Sequence, residues 1–430
     1  MNPATASTLA ARGGRGASTA LGTVLLGYAA CGSVAQAQNV LTPPPRVDVT
    51  PPALQEFRAS ETGEPAPEGG WMPTGLSLWQ PPWQIGPLIA RPHFSASYSY
   101  VDGILQSPGE PATTTTFQFA PGVLFLLGSH WTLDYTPSFV WFSNNSFDNQ
   151  VNQNLSLNGW GAYEDWVLSL ALNLSTMSGP QVATATQTQE TTYSTTFGAA
   201  YLLNSKVSFD LSLSQNYESA QEYQSYWQYS TMDYVNYQFW PRFQAGVGLG
   251  GGYVDVSSGS DMTFEQVQGR ISWRASDKTS VTLHGGLEYR QFLTGGVSPL
   301  TSPVFGLDIQ TRLSNKTTLS LGASQTTSAS YFENQVNETS TVGLTLSQAL
   351  AKKLSMSLGG GYSHVTYTAT ASDVSANSAY DYTSITLQLT YAIIKRGSIS
   401  ASYQFNDNVS NQPGLSFTSN QIGIQFAYSF

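Results

Sequence analysis

A chain of 430 residues would ordinarily divide into several soluble domains, but Asp, Glu, Lys and Arg make up only 10% of this one, against roughly 25% in ordinary globular proteins. Hydrophobic residues reach 40% without any run long enough for a membrane helix, and 23 Tyr, 20 Phe and 10 Trp stand in a neutral background of Ser, Thr, Asn, Gln and Gly. The net charge of −10 excludes nucleic acid as a partner, and the apolar content excludes generic disorder, so a large β-structure is predicted whose apolar face meets something other than water.

The chain opens with Arg12 and Arg15, an apolar segment around Leu21, Val24, Leu25 and Leu26, and then Ala35-Gln36-Ala37. That order is a secretory signal peptide over residues 1–37, with cleavage before Gln38. Cys31, the only cysteine, lies inside it, so the exported chain has no thiol for a disulfide, a nucleophile or a metal. Residues 38–90 follow as a Pro-rich periplasmic linker, since twelve of the 22 prolines fall between Pro43 and Pro92. Each proline removes a ladder donor, so such a stretch reads as extended rather than sheet-forming.

From Arg91 to Phe430 the chain alternates. Val207, Phe209, Leu211 and Leu213 oppose Ser208, Asp210, Ser212 and Ser214, and Ile385, Leu387, Leu389, Tyr391 and Ile393 oppose Thr386, Gln388, Thr390 and Ala392. A soluble sandwich alternates too, but its outer face is normally charged. Here the polar face is small and neutral while the apolar face ends in aromatics, as a lipid-facing barrel requires. Short turns recur near positions 130, 165, 206, 242, 278, 316, 352 and 395, at spacings of 35, 41, 36, 36, 38, 36 and 43. Between them lie longer polar stretches: Asn144–Asn152, Ser178–Glu190, Val254–Asp261 and Thr370–Ala379. This hairpin repeat predicts an all-β fold, a transmembrane antiparallel up-and-down barrel of about 18 strands, with about 16 as the alternative. Its short turns would be periplasmic. A propeller would need its own motif in each blade, and none is visible.

The last strand, Ile422, Ile424, Phe426, Tyr428 and Phe430, resembles the signal that Gram-negative outer-membrane barrels present to their assembly machinery. The segment Phe94-Ser95-Ala96-Ser97-Tyr98-Ser99-Tyr100-Val101-Asp102-Gly103-Ile104 resembles the opening of a porin-like family of such barrels. Ala120-Pro121-Gly122-Val123 and Leu133-Asp134-Tyr135-Thr136-Pro137-Ser138-Phe139 are similar to that family's next two strands. The resemblance implies location in the outer membrane, with lipid and the assembly machinery as partners. It also implies a link, in some members, to exopolysaccharide export.

Candidate functional residues gather on three successive polar faces: Arg270 and Arg274; His284, Glu288 and Arg290; Asp308 and Arg312. In so uncharged a chain, this wall reads either as a constriction that sets charge selectivity or as a ladder of ion pairs that stiffens the barrel. Four arginines against two acids would make it locally positive. Glu218, Glu222, Asp255, Asp261, Glu333, Glu338 and Asp373 would form an acidic vestibule outside it, mostly on the outer loops. Such a path suits neutral or weakly anionic hydroxyl-rich solutes.

Catalysis is not expected. Of His93, His130, His284 and His364, only His364 would lie near the outer rim, and its neighbour Ser363 would point to the opposite face. No metal or cofactor motif is present; Gly250-Gly251-Gly252 and Gly359-Gly360-Gly361 lie within strand patterns and read as bends. The leading function is therefore a porin-like channel for small hydrophilic solutes. The alternatives are a barrel accessory to exopolysaccharide secretion, with polysaccharide as the partner, and a structural or adhesive surface barrel.

Overall fold

The computed structural model describes residues 82–294 and 296–430; the expected signal peptide and most of the Pro-rich linker lie outside them. The strands are β1 (Trp83–Ile85), β2 (Leu88–Ser107), β3 (Glu110–Leu127), β4 (Trp131–Tyr135), β5 (Ser138–Phe142), β6 (Gln150–Tyr163) and β7 (Trp166–Pro180). They continue with β8 (Gln187–Leu202), β9 (Val207–Ala220), β10 (Tyr226–Trp240), β11 (Phe243–Val256), β12 (Met262–Ser276), β13 (Thr279–Phe292) and β14 (Leu300–Ser314). The last are β15 (Thr317–Ala329), β16 (Gln335–Ala349), β17 (Leu354–Ala369), β18 (Ala379–Ile394), β19 (Gly397–Ser410) and β20 (Phe417–Ser429).

Apart from β4 and β5, each strand pairs antiparallel with the next, and β2 closes the ring on β20 through the register His93↔Ser429 to Asp102↔Asn420. β4 and β5 are two halves of one strand between β3 and β6, broken at Thr136-Pro137 where the proline can donate nothing. The ring is thus a closed antiparallel barrel of 18 strands, as the turn spacing predicts. Pairing begins slightly before the boundary expected at Arg91, because Trp83–Ile85 folds back on Leu88–Ala90 as a short flap. Closure leaves no sheet edge, so every spanning backbone group finds a partner without water.

Side-chain parity sets the two faces. Leu213, Val247, Leu249, Leu287 and Ile422 project outward and are 58–65% exposed, the values of a surface covered by lipid rather than by protein. Aromatics bracket this band. Trp240 and Phe243 at 5.3 Å and Trp166 and Tyr201 at 4.8 Å stand at the short-turn end, with Tyr217 and Trp227 at 4.5 Å at the other. All eight short turns fall where expected, and the described lysines, Lys206, Lys278, Lys316, Lys352, Lys353 and Lys395, all lie in them.

The far end carries the longer connections, as expected, although the strands run into the polar stretches and shorten them, and none has Lys or Arg among the described residues. Two of them lean across the mouth. Val182 and Ala185 of the 181–186 connection pack with Val101, Ile104 and Leu105 of β2, Phe147, Tyr382 of β18 and Phe417 of β20. The 330–334 connection reaches the 221–225 connection, where the Gln224 backbone N–H donates to the Tyr331 carbonyl at 3.0 Å. At Asp102-Gly103 the β2 register slips by a bulge; Gly103 has φ +77° and lies against the Thr418 backbone carbonyl, where a Cβ would not fit.

Candidate functional site

The inner face from β9 to β15 carries the charged wall. Arg270 on β12 lies opposite His284 on β13, which lies opposite Gly306 on β14, and Asp308 opposes Thr282 one pair away. The alternating residues Gly246, Gly248, Gly250 and Gly252 leave the middle of the inner face of β11 without side chains, so the Arg270 guanidinium reaches across that strand. It pairs with Asp210 on β9, donates to Asn236 Oδ1 on β10 at 2.5 Å, and sits 4.1 Å from the centre of the Tyr234 ring. Asn236 Nδ2 in turn donates to Asp210 at 3.0 Å.

A hydrogen-bonded line leads outward from there. The Tyr234 hydroxyl donates to Gln268 Oε1 at 2.9 Å, Gln268 Nε2 to Gln266 Oε1 at 2.8 Å, and Gln266 Nε2 to Glu288 at 2.6 Å. Glu288 then accepts from Arg290 Nε at 2.8 Å, and Arg290 Nη2 donates to the Thr327 carbonyl at 2.9 Å while its head rests 4.9 Å from the Phe264 ring centre. Arg270, Glu288 and Arg290 are 4%, 2% and 1% exposed. Charges so enclosed persist only because each is paired and hydrogen-bonded.

Of the seven residues singled out in the sequence, Arg270, His284, Glu288, Arg290 and Asp308 therefore lie on neighbouring inner strands. Arg274 and Arg312 do not join them: both are exposed near the short-turn end, where their backbone N–H groups donate to the Arg242 and Lys278 carbonyls. The expected positive excess on this wall is corrected by Asp210, which neutralises Arg270, while Glu288 neutralises Arg290. Asp210 had a signal, for it shares the polar face of β9 with Ser208 and Ser212. Its pairing with Arg270 depends on the glycine row between them.

The acidic groups at the mouth also divide differently from expectation. Glu222, Asp261, Glu333 and Asp373 are on connections, but Glu218 belongs to the inner face of β9, and Asp255 and Glu338 lie on β11 and β16. Glu218 accepts from the Tyr226 hydroxyl at 2.8 Å, and Glu190 on β8, 4% exposed, accepts from Gln181 Nε2 at 2.9 Å. Burial, with Glu218 and Glu190 beside it, pushes the Tyr331 phenol well above its ordinary value, so it stays protonated and presents a donor to both acids. Ser363 is buried on the inner face while His364 bonds Asp381 at 2.7 Å on the outer one, so the two form no catalytic pair. Among the described residues no group of acids, histidines and cysteines is arranged to hold a metal.

Residues 312–430 match the model of a family described as "Putative beta-barrel porin 2". No curated protein matches the chain. Among solved structures the barrel is similar to the outer membrane protein OpdK from Pseudomonas aeruginosa, at 10% identity and TM-score 0.43, covering 79% of this chain and 99% of that one. It is also similar to OccK2 from the same organism, solved in complex with glucuronate, at 11% identity and TM-score 0.45, covering 79% and 98%. A third is the Pseudomonas aeruginosa siderophore receptor PirA, at 10% identity and TM-score 0.35, covering 78% and 80%.

Proposed function

We propose that this chain, a porin-like β-barrel of the Gram-negative outer membrane, is a passive channel for small hydrophilic solutes and not an enzyme. The observation that carries the reading is the closed barrel of 18 strands with an apolar outer band and a polar inner face. Barrels of about this strand number enclose an aqueous path, whereas about eight strands are filled by their own side chains.

The inner wall tunes that path rather than blocking one sign of charge. Arg270 with Asp210 and Arg290 with Glu288 are self-neutralising pairs, so they supply dipoles and hydrogen-bonding surface instead of net field. The mouth is acidic and lacks Lys and Arg on its described connections, which raises the local concentration of cations over anions. Neutral and positively charged hydrophilic solutes are thus the preferred cargo. The weakly anionic preference that a positive wall would give is removed by these two pairs.

Reconstitution into planar lipid bilayers tests the reading. Purified protein should give stepwise conductance in potassium chloride, and vesicles bearing it should swell in iso-osmotic monosaccharide. A folded, inserted barrel that passes neither ions nor monosaccharide would overturn the channel assignment.

A further inference from the structure

Three connections at the mouth line an open cavity of about 320 Å3, bordered in part by Glu222, Tyr223, Ser257, Tyr331, Phe332 and Glu333. Ligand pockets begin at about 300 Å3, so there is room for one small solute. Its frame is built rather than incidental. Ser225 N–H donates to Ser257 Oγ at 3.0 Å, Ser257 N–H to the Ser225 carbonyl at 2.9 Å, and Gln224 N–H to the Tyr331 carbonyl at 3.0 Å. Phe332 N–H is held by Ser330 Oγ at 3.0 Å, and Thr370 N–H by the Asn334 carbonyl at 2.8 Å. Glu222 and Asn334, at φ 70° and 58°, hold the left-handed conformation at two corners of the frame.

The lining has a definite chemistry. Tyr223 and Phe332 meet edge to face at 6.0 Å and form one apolar wall. Such a wall suits the C–H face of a saturated ring and, through its π-electrons, a nearby ammonium group. Ser257, Ser258 and Gln224 offer hydroxyl and amide groups. Tyr331, only 9% exposed, backs this lining and turns its hydroxyl to Glu218 and Glu190 beneath it. Glu222 and Glu333 are exposed carboxylates, and no Lys or Arg on the described connections at this end answers them. An anionic solute would find no counter-charge here, and a neutral one would leave both carboxylates without a partner.

We propose that this cavity is a capture site for a positively charged, hydroxyl-bearing ring, the chemistry of an amino sugar, loaded before passage through the barrel. The site rests on the channel reading for its purpose but not for its detection. Glu222 and Glu333 take the ammonium group, the Tyr223–Phe332 wall takes the ring face, and the serine and glutamine groups take ring hydroxyls.

Calorimetric titration of the detergent-solubilised full chain with glucosamine, glucose and glucuronate is the test. Glucosamine should bind at least tenfold more tightly than either of the others. Glu222→Gln with Glu333→Gln should weaken glucosamine at least tenfold and leave glucose unchanged, whereas Phe332→Ala should weaken both sugars. Heat-modifiable migration on gels verifies that each variant is a folded barrel. Equal affinity for glucuronate, or undiminished glucosamine binding by the double variant, overturns the site. The two proposals fail separately: a barrel that conducts without binding glucosamine refutes the site alone, and one that binds it without conducting refutes the channel alone.

Discussion

Arg290 is the most enclosed charge in the wall, at 1% exposure, and its charge is balanced by Glu288 at 2.8 Å. Removing one member of a buried pair leaves the other charged and unsolvated, which costs about 3–5 kcal/mol. Arg290→Ala should therefore lower stability by that amount in urea titrations of the refolded barrel. Arg290→Met combined with Glu288→Gln removes both charges and should recover most of the loss. An undiminished unfolding midpoint for Arg290→Ala would mean that water reaches the pair. Arg270 belongs to the same logic, because Asn236, Asp210 and the Tyr234 ring enclose it. Asp210→Asn should expose an unbalanced positive charge on the wall, and the reversal potential in a potassium chloride gradient should move toward chloride.

At the scale of single strands, parity decides which substitutions are tolerated. On β18, Ile385 and Leu389 are 45% and 40% exposed on the outer face, and Leu387 lies between them. Leu387→Arg places a cation in hydrocarbon and should cost about 2–4 kcal/mol near the bilayer midplane. Its inner neighbour Gln388 is a poor control, being only 6% exposed. Thr386, half-buried and opposite Gly359, has room beside it, so Thr386→Arg should fold with a loss well under that of Leu387→Arg. Equal losses in vesicle folding titrations would mean that the faces are reversed. The closing strand carries a second test. Phe430 N–H donates to the Pro92 carbonyl at 3.0 Å, and its ring meets Tyr428 at 4.7 Å, so it seals the seam between β20 and β2. Deleting Phe430 should reduce the amount of barrel in the outer membrane more than Gly423→Ala does, measured by quantitative immunoblotting of membrane fractions.

Across the whole molecule, charge is sorted by end. The described lysines occupy the short turns, while Glu222, Asp261, Glu333 and Asp373 occupy the opposite connections. The central ion pairs cancel, so the mouth sets the field that an approaching solute meets. Single channels should pass potassium in preference to chloride at about 0.1 M salt, where the screening length is about 10 Å. The preference should weaken markedly at about 1 M, where that length falls to about 3 Å. A reversal potential that is the same at both salt concentrations would place the selectivity at a buried constriction instead.

Strand number, the two faces and all eight short turns were legible in the sequence, because side chains alternate strictly along a strand and a bilayer demands one apolar face. The same parity brought Arg270, His284, Glu288 and Arg290 onto one wall. It could not show that Arg270 crosses the bare glycine row of β11 to Asp210, a partner 60 residues away. It could not show that the 330–334 connection leans over to Gln224, 106 residues distant from Ser330 in the chain. Glu218 read as a loop residue because it lies close to a turn, although it continues the polar face of Ser208 and Asp210. Alternation is local and is written residue by residue. Which polar groups meet inside depends on barrel curvature, on missing side chains and on the lean of connections, and only the closed tertiary structure decides those.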